Sequence, residues 1–250
     1  MKNLKNTYWM YSRYSIEAAL LNTNRIVYEL ILEKKLENYF KSFIKKNNIN
    51  KENIIIKVVE KKKIIKKIGK LAKYQGLDML VERLGFFDLS KILQSDTEKN
   101  FIVIIDQLND PNNLGAILRT CSAFNIINII VLTRNMPEEN AFIASAASGS
   151  LEKTNIICVK NLVQAIKKLK KHEWWILGLE SKPLKNCRNI SDVNFSFKKK
   201  ALVIGSEKHG LRSLVRDSCD VLLRIELMGN VVDSINVSQA TAIALYQLNK

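Results

Sequence analysis

The sequence predicts an α/β protein in two parts. Residues 101–250 read as a mostly parallel sheet covered by helices, and residues 1–93 as a small α/β domain. Three observations carry this. From Phe101 onward, short apolar runs alternate with amphipathic stretches, which is how parallel strands joined by crossover helices read. A polar run at 94–100 (Gln94-Ser95-Asp96-Thr97-Glu98-Lys99-Asn100) separates the two parts as a linker. The polar, glycine-containing stretches of the second part fall where apolar runs end, as they do at the ligand-binding edge of a parallel sheet. At 250 residues the chain is long enough to bury a sizeable core in either part.

In chain order, Ser15–Leu21 and Lys34–Lys45 predict helices, with strands near Ile26–Leu32 and Ile54–Val59. In the segment 60–71, Ile64, Ile65, Ile68 and Leu71 form one helical stripe with lysines on the remaining face. Such a face is either merely solvated or lies near RNA. Past the linker, strands are expected at Phe101–Ile105, Asn128–Leu132, Asn155–Val159, Trp174–Leu179, Ala201–Ile204 and Val221–Ile225. The intervening helices are Asn113–Phe124, Glu138–Ala147, Leu162–Lys171, Leu211–Asp217 and Val237–Leu248. No internal repeat or extended low-complexity tract interrupts them.

The net charge is +16, and residues 1–100 carry the larger share, 21 basic against 11 acidic side chains. A basic field attracts phosphate backbones, although Lys- and Asn-rich codon usage raises the charge by itself. No run of 18 apolar residues predicts a membrane span, and the basic start at Met1 leads into no apolar leader core. Cys121, Cys158, Cys187 and Cys219 form no C-x-x-C, which fits reduced thiols in a cytoplasmic protein. With only His172 and His209, ligands for a zinc site are too few, and no metal is expected.

Three stretches hold the candidate chemistry. They are 106–119 after the first strand of the second part, 203–211, and 225–238. Neither G-x-G-x-x-G nor G-x-x-x-x-G-K-[ST] is present, which disfavours a dinucleotide fold or a P-loop. Gly205 and Gly210 mark a turn where missing side chains let a ligand approach the backbone. Asn113, Arg119, Glu207, Ser234 and Asn236 all lie at strand ends or near helix starts. Singly, each has a structural role open to it: Asn113 and Ser234 as helix caps, Asn236 in a turn, Glu207 on a helix dipole, Arg119 in a surface ion pair. Five together at the ends of three strands favour a site.

These stretches resemble the three motifs of the SpoU, or TrmH-like, family of RNA ribose 2′-O-methyltransferases. Asn113-x-Gly115-Ala116-x-x-Arg119 matches the first motif and Leu202-Val203-Ile204-Gly205-Ser206-Glu207-x-x-Gly210 the second, while Ser234-Ile235-Asn236-Val237-Ser238 matches the core of the third. In the first part, Tyr11-Ser12-Arg13-Tyr14-Ser15-Ile16 is similar to the family's Y-G-R-H-S-V opening, and Tyr74-Gln75-Gly76 to its H-Q-G. Ser12, Tyr14 and Tyr74 depart from that pattern. So do Glu226, where the family has Pro, and one extra residue between Gly229 and Ser234.

The resemblance implies a trefoil-knotted sheet and a ribosomal-protein-like RNA-binding domain before it. It also implies S-adenosyl-L-methionine as cofactor, held around Gly205, Ile225 and Ile235. Arg119 is implied as the catalytic residue, with Asn113, Glu207, Ser234 and Asn236 fixing it and the ribose. The implied substrate is a guanosine of large-subunit rRNA, with tRNA as the enzymatic alternative, and the implied assembly is a homodimer through the second domain. A non-catalytic rRNA-binding assembly factor and a nucleotide-binding dehydrogenase are the readings from other classes. The first is disfavoured by intact Arg119, Glu207 and Asn236, the second by the missing glycine fingerprint.

Overall fold

The computed structural model describes residues 6–50, 54–60, 75–94, 100–134, 136–182, 184, 186–193, 197–206, 209–229 and 234–249. The lysine-striped segment at 60–71 lies, after Glu60, outside the described residues, as do Tyr74 and Glu207. The chain forms two compact units, residues 1–85 with 138–153, and residues 86–137 with 154–250.

The first unit is built on β1 (Thr7–Met10), α1 (Arg13–Leu21), β2 (Val27–Glu33), α2 (Lys34–Lys46), β3 (Ile55–Val59) and β4 (Leu77–Glu82). Its sheet runs β1-β4-β2-β3, with β4 antiparallel to both neighbours and β2 parallel to β3. Met10, Ile16, Leu30, Leu32, Phe40, Ile44, Leu77 and Met79 fill the core. Sequence reading missed β1 and β4. The buried Asp78 breaks the apolar run of Leu77-Asp78-Met79-Leu80-Val81, and β1 is only four residues long.

Residues 138–153 join this unit rather than the sheet they interrupt, and a buried charge explains why. The Arg25 guanidinium, with no exposed side-chain surface, pairs with Glu139 at 2.6 Å and Glu152 at 2.6 Å. Tyr8 donates its hydroxyl to Glu139 at 2.8 Å, and burial pushes that phenol up, the Glu139 carboxylate adding to it. Ser15 donates to the carbonyl of Ala144. The helix expected at Glu138–Ala147 forms only over Ala141–Ala147, because the Asn140 side chain accepts from the amides of Phe142 and Ile143 and starts it there.

Ahead of its sheet the second unit carries a short helix at Leu89–Leu93, within the residues 1–93 that the sequence predicts for the first part. Ile92 packs into the second unit's core. The sheet strands are β5 (Asn100–Ile105), β6 (Asn128–Leu132), β7 (Asn155–Val159), β8 (Trp175–Leu179), β9 (Cys187–Asn189), β10 (Lys199–Ile204) and β11 (Val221–Arg224). Their order is β7-β6-β5-β10-β8-β11-β9, and every pair is parallel. This is the mostly parallel α/β sheet the sequence predicts. The late strands insert: β10 enters between β5 and β8, and β11 between β8 and β9.

Numbering the described α-helices in chain order, α3 is Leu89–Leu93, α4 Pro111–Ala123, α5 Ala141–Ala147, α6 Leu162–Lys171, α7 Ser213–Arg216 and α8 Val237–Leu248. Helix α4 starts two residues before Asn113, with Pro111 in its first turn and the Asp110 carboxylate capping the Asn112 amide at 2.9 Å. Asn113 is therefore inside the helix and is not its cap. Likewise Asn236, not Ser234, caps α8 by accepting from the Ser238 amide at 2.8 Å. Among the described residues no helix is long and apolar enough to cross a membrane.

Candidate active site

Inserting β10 and β11 beside β8 brings three carboxyl-terminal strand ends side by side. The loops leaving them, with the start of α8, line an open cleft at the edge where parallel sheets bind ligands. Leu179, Ile204, Ile225, Leu227, Ile235 and Val237 give it apolar walls. Ser181, Ser206 and Ser234 add hydroxyls, and among the described lining residues Glu180 is the ionisable one.

Gly205 stands at the floor because nothing larger fits. A Cβ there would lie 2.2 Å from the Gly210 carbonyl carbon and 2.5 Å from the Leu211 nitrogen. The loop crosses this closely because Ser206 and Gly210 exchange backbone hydrogen bonds, at 3.1 and 2.9 Å. Gly210 itself takes φ +65°, a left-handed conformation that favours glycine. Beyond the turn, Arg212 is held by the fully buried Asp106 at the end of β5. Its Nη2 lies 2.7 Å and its Nε 2.8 Å from Oδ1, while its backbone N–H donates to Oδ2 at 3.1 Å.

The sequence-derived candidates fall into three groups. Gly205, Ile225, Ser234 and Ile235, far apart in the chain, line the one cleft. Asn113 and Asn236 meet beside it, Asn236 Nδ2 donating to Asn113 Oδ1 at 3.0 Å. Arg119 lies about one and two-thirds turns further along α4 than Asn113, on another face. It is exposed, does not line the cleft of its own chain, and makes no ion pair with a described residue. Glu207 lies outside the described residues. Glu226, the departure from the family's Pro, turns away from the cleft and accepts from Asn189 of β9 at 2.5 Å.

Sequence reading passed over Glu180. The available signal was a lone carboxylate directly after an apolar strand, at the edge where parallel sheets bind ligands. The thiols are not candidates for nucleophilic chemistry. Burial pushes Cys121 and Cys219 up to about 12 and Cys158 up to about 11, so at neutral pH they are protonated.

A parallel α/β sheet with late-inserted strands and a largely apolar cleft at their carboxyl ends defines the class: an α/β protein that binds a small molecule at its strand ends. The chain belongs to the SpoU rRNA methylase family, whose model matches residues 100–246. It is 30% identical over 239 residues to a protein of Staphylococcus aureus (strain MSSA476) named as a TrmH family tRNA/rRNA methyltransferase, covering 94% of this chain and 93% of that one. In fold it is similar to the SpoU methyltransferase AviRb from Streptomyces viridochromogenes in complex with AdoMet (TM-score 0.76, 18% identity, 97% of this chain and 89% of that one). It is similar, too, to the AdoMet-bound rRNA methyltransferase from Sinorhizobium meliloti (TM-score 0.73, 20% identity, 97% and 86% covered).

Proposed function

We propose that the protein transfers a methyl group from S-adenosylmethionine to a ribose 2′-hydroxyl of RNA, with a guanosine of large-subunit (23S-type) rRNA as the substrate. The observation that carries this is the gathering of Gly205, Ile225, Ser234 and Ile235 into one cleft beside the Asn113–Asn236 pair. The residues fit the donor. Leu179, Ile204, Ile225, Leu227, Ile235 and Val237 would wall the adenine from water, and side-chain-free Gly205 would let it approach the backbone. When bound, the donor supplies an electrophilic methyl on a sulfonium.

The chain's own work is positioning and proton handling. Asn236, fixed by its cap to the Ser238 amide, holds Asn113. With Glu207 and Ser234 these residues orient the ribose and Arg119. Arg119 assists loss of the hydroxyl proton. A guanidinium with pKa above about 12 is a poor base alone, so a substrate phosphate beside it shares that role.

Because Arg119 is exposed and away from its own cleft, it acts in the cleft of a second copy of this chain, in a homodimer formed through the second unit. Exposed Ile243 and Tyr246 on α8 supply apolar surface for such a contact. RNA choice belongs to residues 1–93, which hold the greater positive charge.

The test is a map of ribose methylation across rRNA and tRNA from cells with and without the protein. Loss at one rRNA guanosine is expected. Loss in tRNA alone would move the substrate. An unchanged map, with rRNA still bound, would make the protein a non-catalytic assembly factor.

A further inference from the structure

We infer that Glu180 is the residue by which the cleft selects a cationic methyl donor over the neutral thioether left after transfer. This rests on the function proposed above. Glu180 directly follows β8, lines the cleft and is 3% exposed. It is the only ionisable residue among the described lining residues. Its Oε1 accepts the Ser181 amide at 3.0 Å, whereas no described residue donates to Oε2. Among the described residues, no lysine, arginine or histidine forms an ion pair with it. The missing side chain at Gly210 makes room for it, since a Cβ there would lie 2.6 Å from Oε1.

A largely buried carboxylate with no cation beside it and one oxygen left to the cleft is placed to pair with a cationic ligand there. S-adenosylmethionine at neutral pH carries a sulfonium, an ammonium and a carboxylate, a net single positive charge. In the reaction the ribose oxygen bonds to the methyl carbon and the carbon–sulfur bond breaks with its electron pair going to sulfur. The hydroxyl proton leaves to the base. The sulfur is then an uncharged thioether, and S-adenosylhomocysteine has no net charge. In a largely apolar cleft that difference of one charge is weakly screened. Glu180 therefore attracts the donor more than the product, and loses part of its hold on the ligand as the methyl departs.

Calorimetry on the full chain and on Glu180→Gln tests this with three ligands. They are S-adenosylmethionine, S-adenosylhomocysteine, and sinefungin, whose amine is cationic where the sulfonium stands. Glutamine keeps the shape and the Ser181 bond but removes the charge. The expected result is about a tenfold loss of affinity for the two cationic ligands and less than about twofold for S-adenosylhomocysteine. Equal losses for all three would reduce Glu180 to an uncharged hydrogen-bond acceptor and overturn the inference, as would no loss at all. Should Glu180→Gln fail to fold by circular dichroism, the wild-type order decides: product bound more tightly than both cationic ligands overturns it. If the wild-type chain binds none of the three, the functional reading itself fails, and that outcome is distinct from a folded variant that keeps its ligand preferences.

Discussion

Replacing Gly205 by alanine isolates the steric demand of the cleft floor. No positive φ is involved at this residue, so alanine meets no backbone penalty and the cost is one of contact alone. Its Cβ would stand 2.2 Å from the Gly210 carbonyl carbon, 2.3 Å from the Gly210 oxygen and 2.5 Å from the Leu211 nitrogen. Ordinary heavy-atom separation is about 3.5–4.0 Å, so the Gly210–Leu211 segment must retreat by roughly 1 Å. These neighbours are backbone atoms and cannot rotate aside. The segment is also tied by the Ser206–Gly210 bond pair and by the Asp106–Arg212 ion pair.

Overpacking of this kind costs about 1–3 kcal/mol. For a unit of this size that lowers Tm by roughly 5 °C. Because the displaced segment is a wall of the cleft, S-adenosylmethionine affinity falls at least about tenfold as well. Gly229→Ala is the internal control, since a Cβ there meets nothing within 4 Å, and its Tm stays within about 1 °C of wild type. Thermal unfolding followed by calorimetry with the donor reads both effects. If Gly205→Ala matches Gly229→Ala in Tm and affinity, the close crossing of 205 and 210 is not what shapes the site.

Two further outcomes are expected. Arg25→Met strands the carboxylates of Glu139 and Glu152, whose side chains are 11% and 3% exposed, and costs about 3–5 kcal/mol in urea unfolding followed by tryptophan fluorescence; a loss below about 1 kcal/mol would remove this cluster as the clasp on residues 138–153. Arg119→Ala abolishes methyl transfer while leaving donor affinity within a few-fold, and co-refolding it with an equally inactive Gly205→Trp chain restores roughly a quarter of wild-type activity, since half the dimers are mixed and each has one intact site; a mixture that stays inactive although mixed dimers are seen by mass spectrometry would put Arg119 to work within its own chain.

How much of this was legible in the sequence depended on where each segment is buried. Phe101–Ile105 and Asn128–Leu132 became β5 and β6 because strands covered on both faces read as continuous apolar runs. Helices Leu162–Lys171 and Val237–Leu248 formed over those same residues. The three-residue β9 has no apolar run to reveal it, as Cys187-Arg188-Asn189 is defined only by pairing with β11. The insertion of β10 between β5 and β8 is a tertiary fact with no local signal. Within the site, the polar stretches were visible because they interrupt apolar runs at strand ends. Glu180 was not, because the following Ser181-Lys182-Pro183 disguises it as the start of a solvated turn. Nor could spacing show that Asn236 both caps α8 and holds Asn113, since the two positions are 123 residues apart.

The same strand order explains why the cleft needs side-chain ties around it. Its walls come from 179–181, 204–206, Gly210, Ile225, Leu227 and the start of α8, pieces of chain that share no local structure and meet only because β8, β10 and β11 are neighbours. Loops of this kind are the mobile part of a fold, yet positioning demands that they stay put. Three side-chain bonds answer that demand. Asp106 grips Arg212 behind the 205–210 turn, Asn113 meets Asn236 at the head of α8, and Glu226 accepts from Asn189 to tie the segment after β11 to the sheet edge. The last bond gives Glu226 a part in holding the cleft's frame. A proline there would stiffen the loop through its own ring, whereas the glutamate restrains it by a hydrogen bond to β9, and Ile225 and Leu227 on either side still face the cleft.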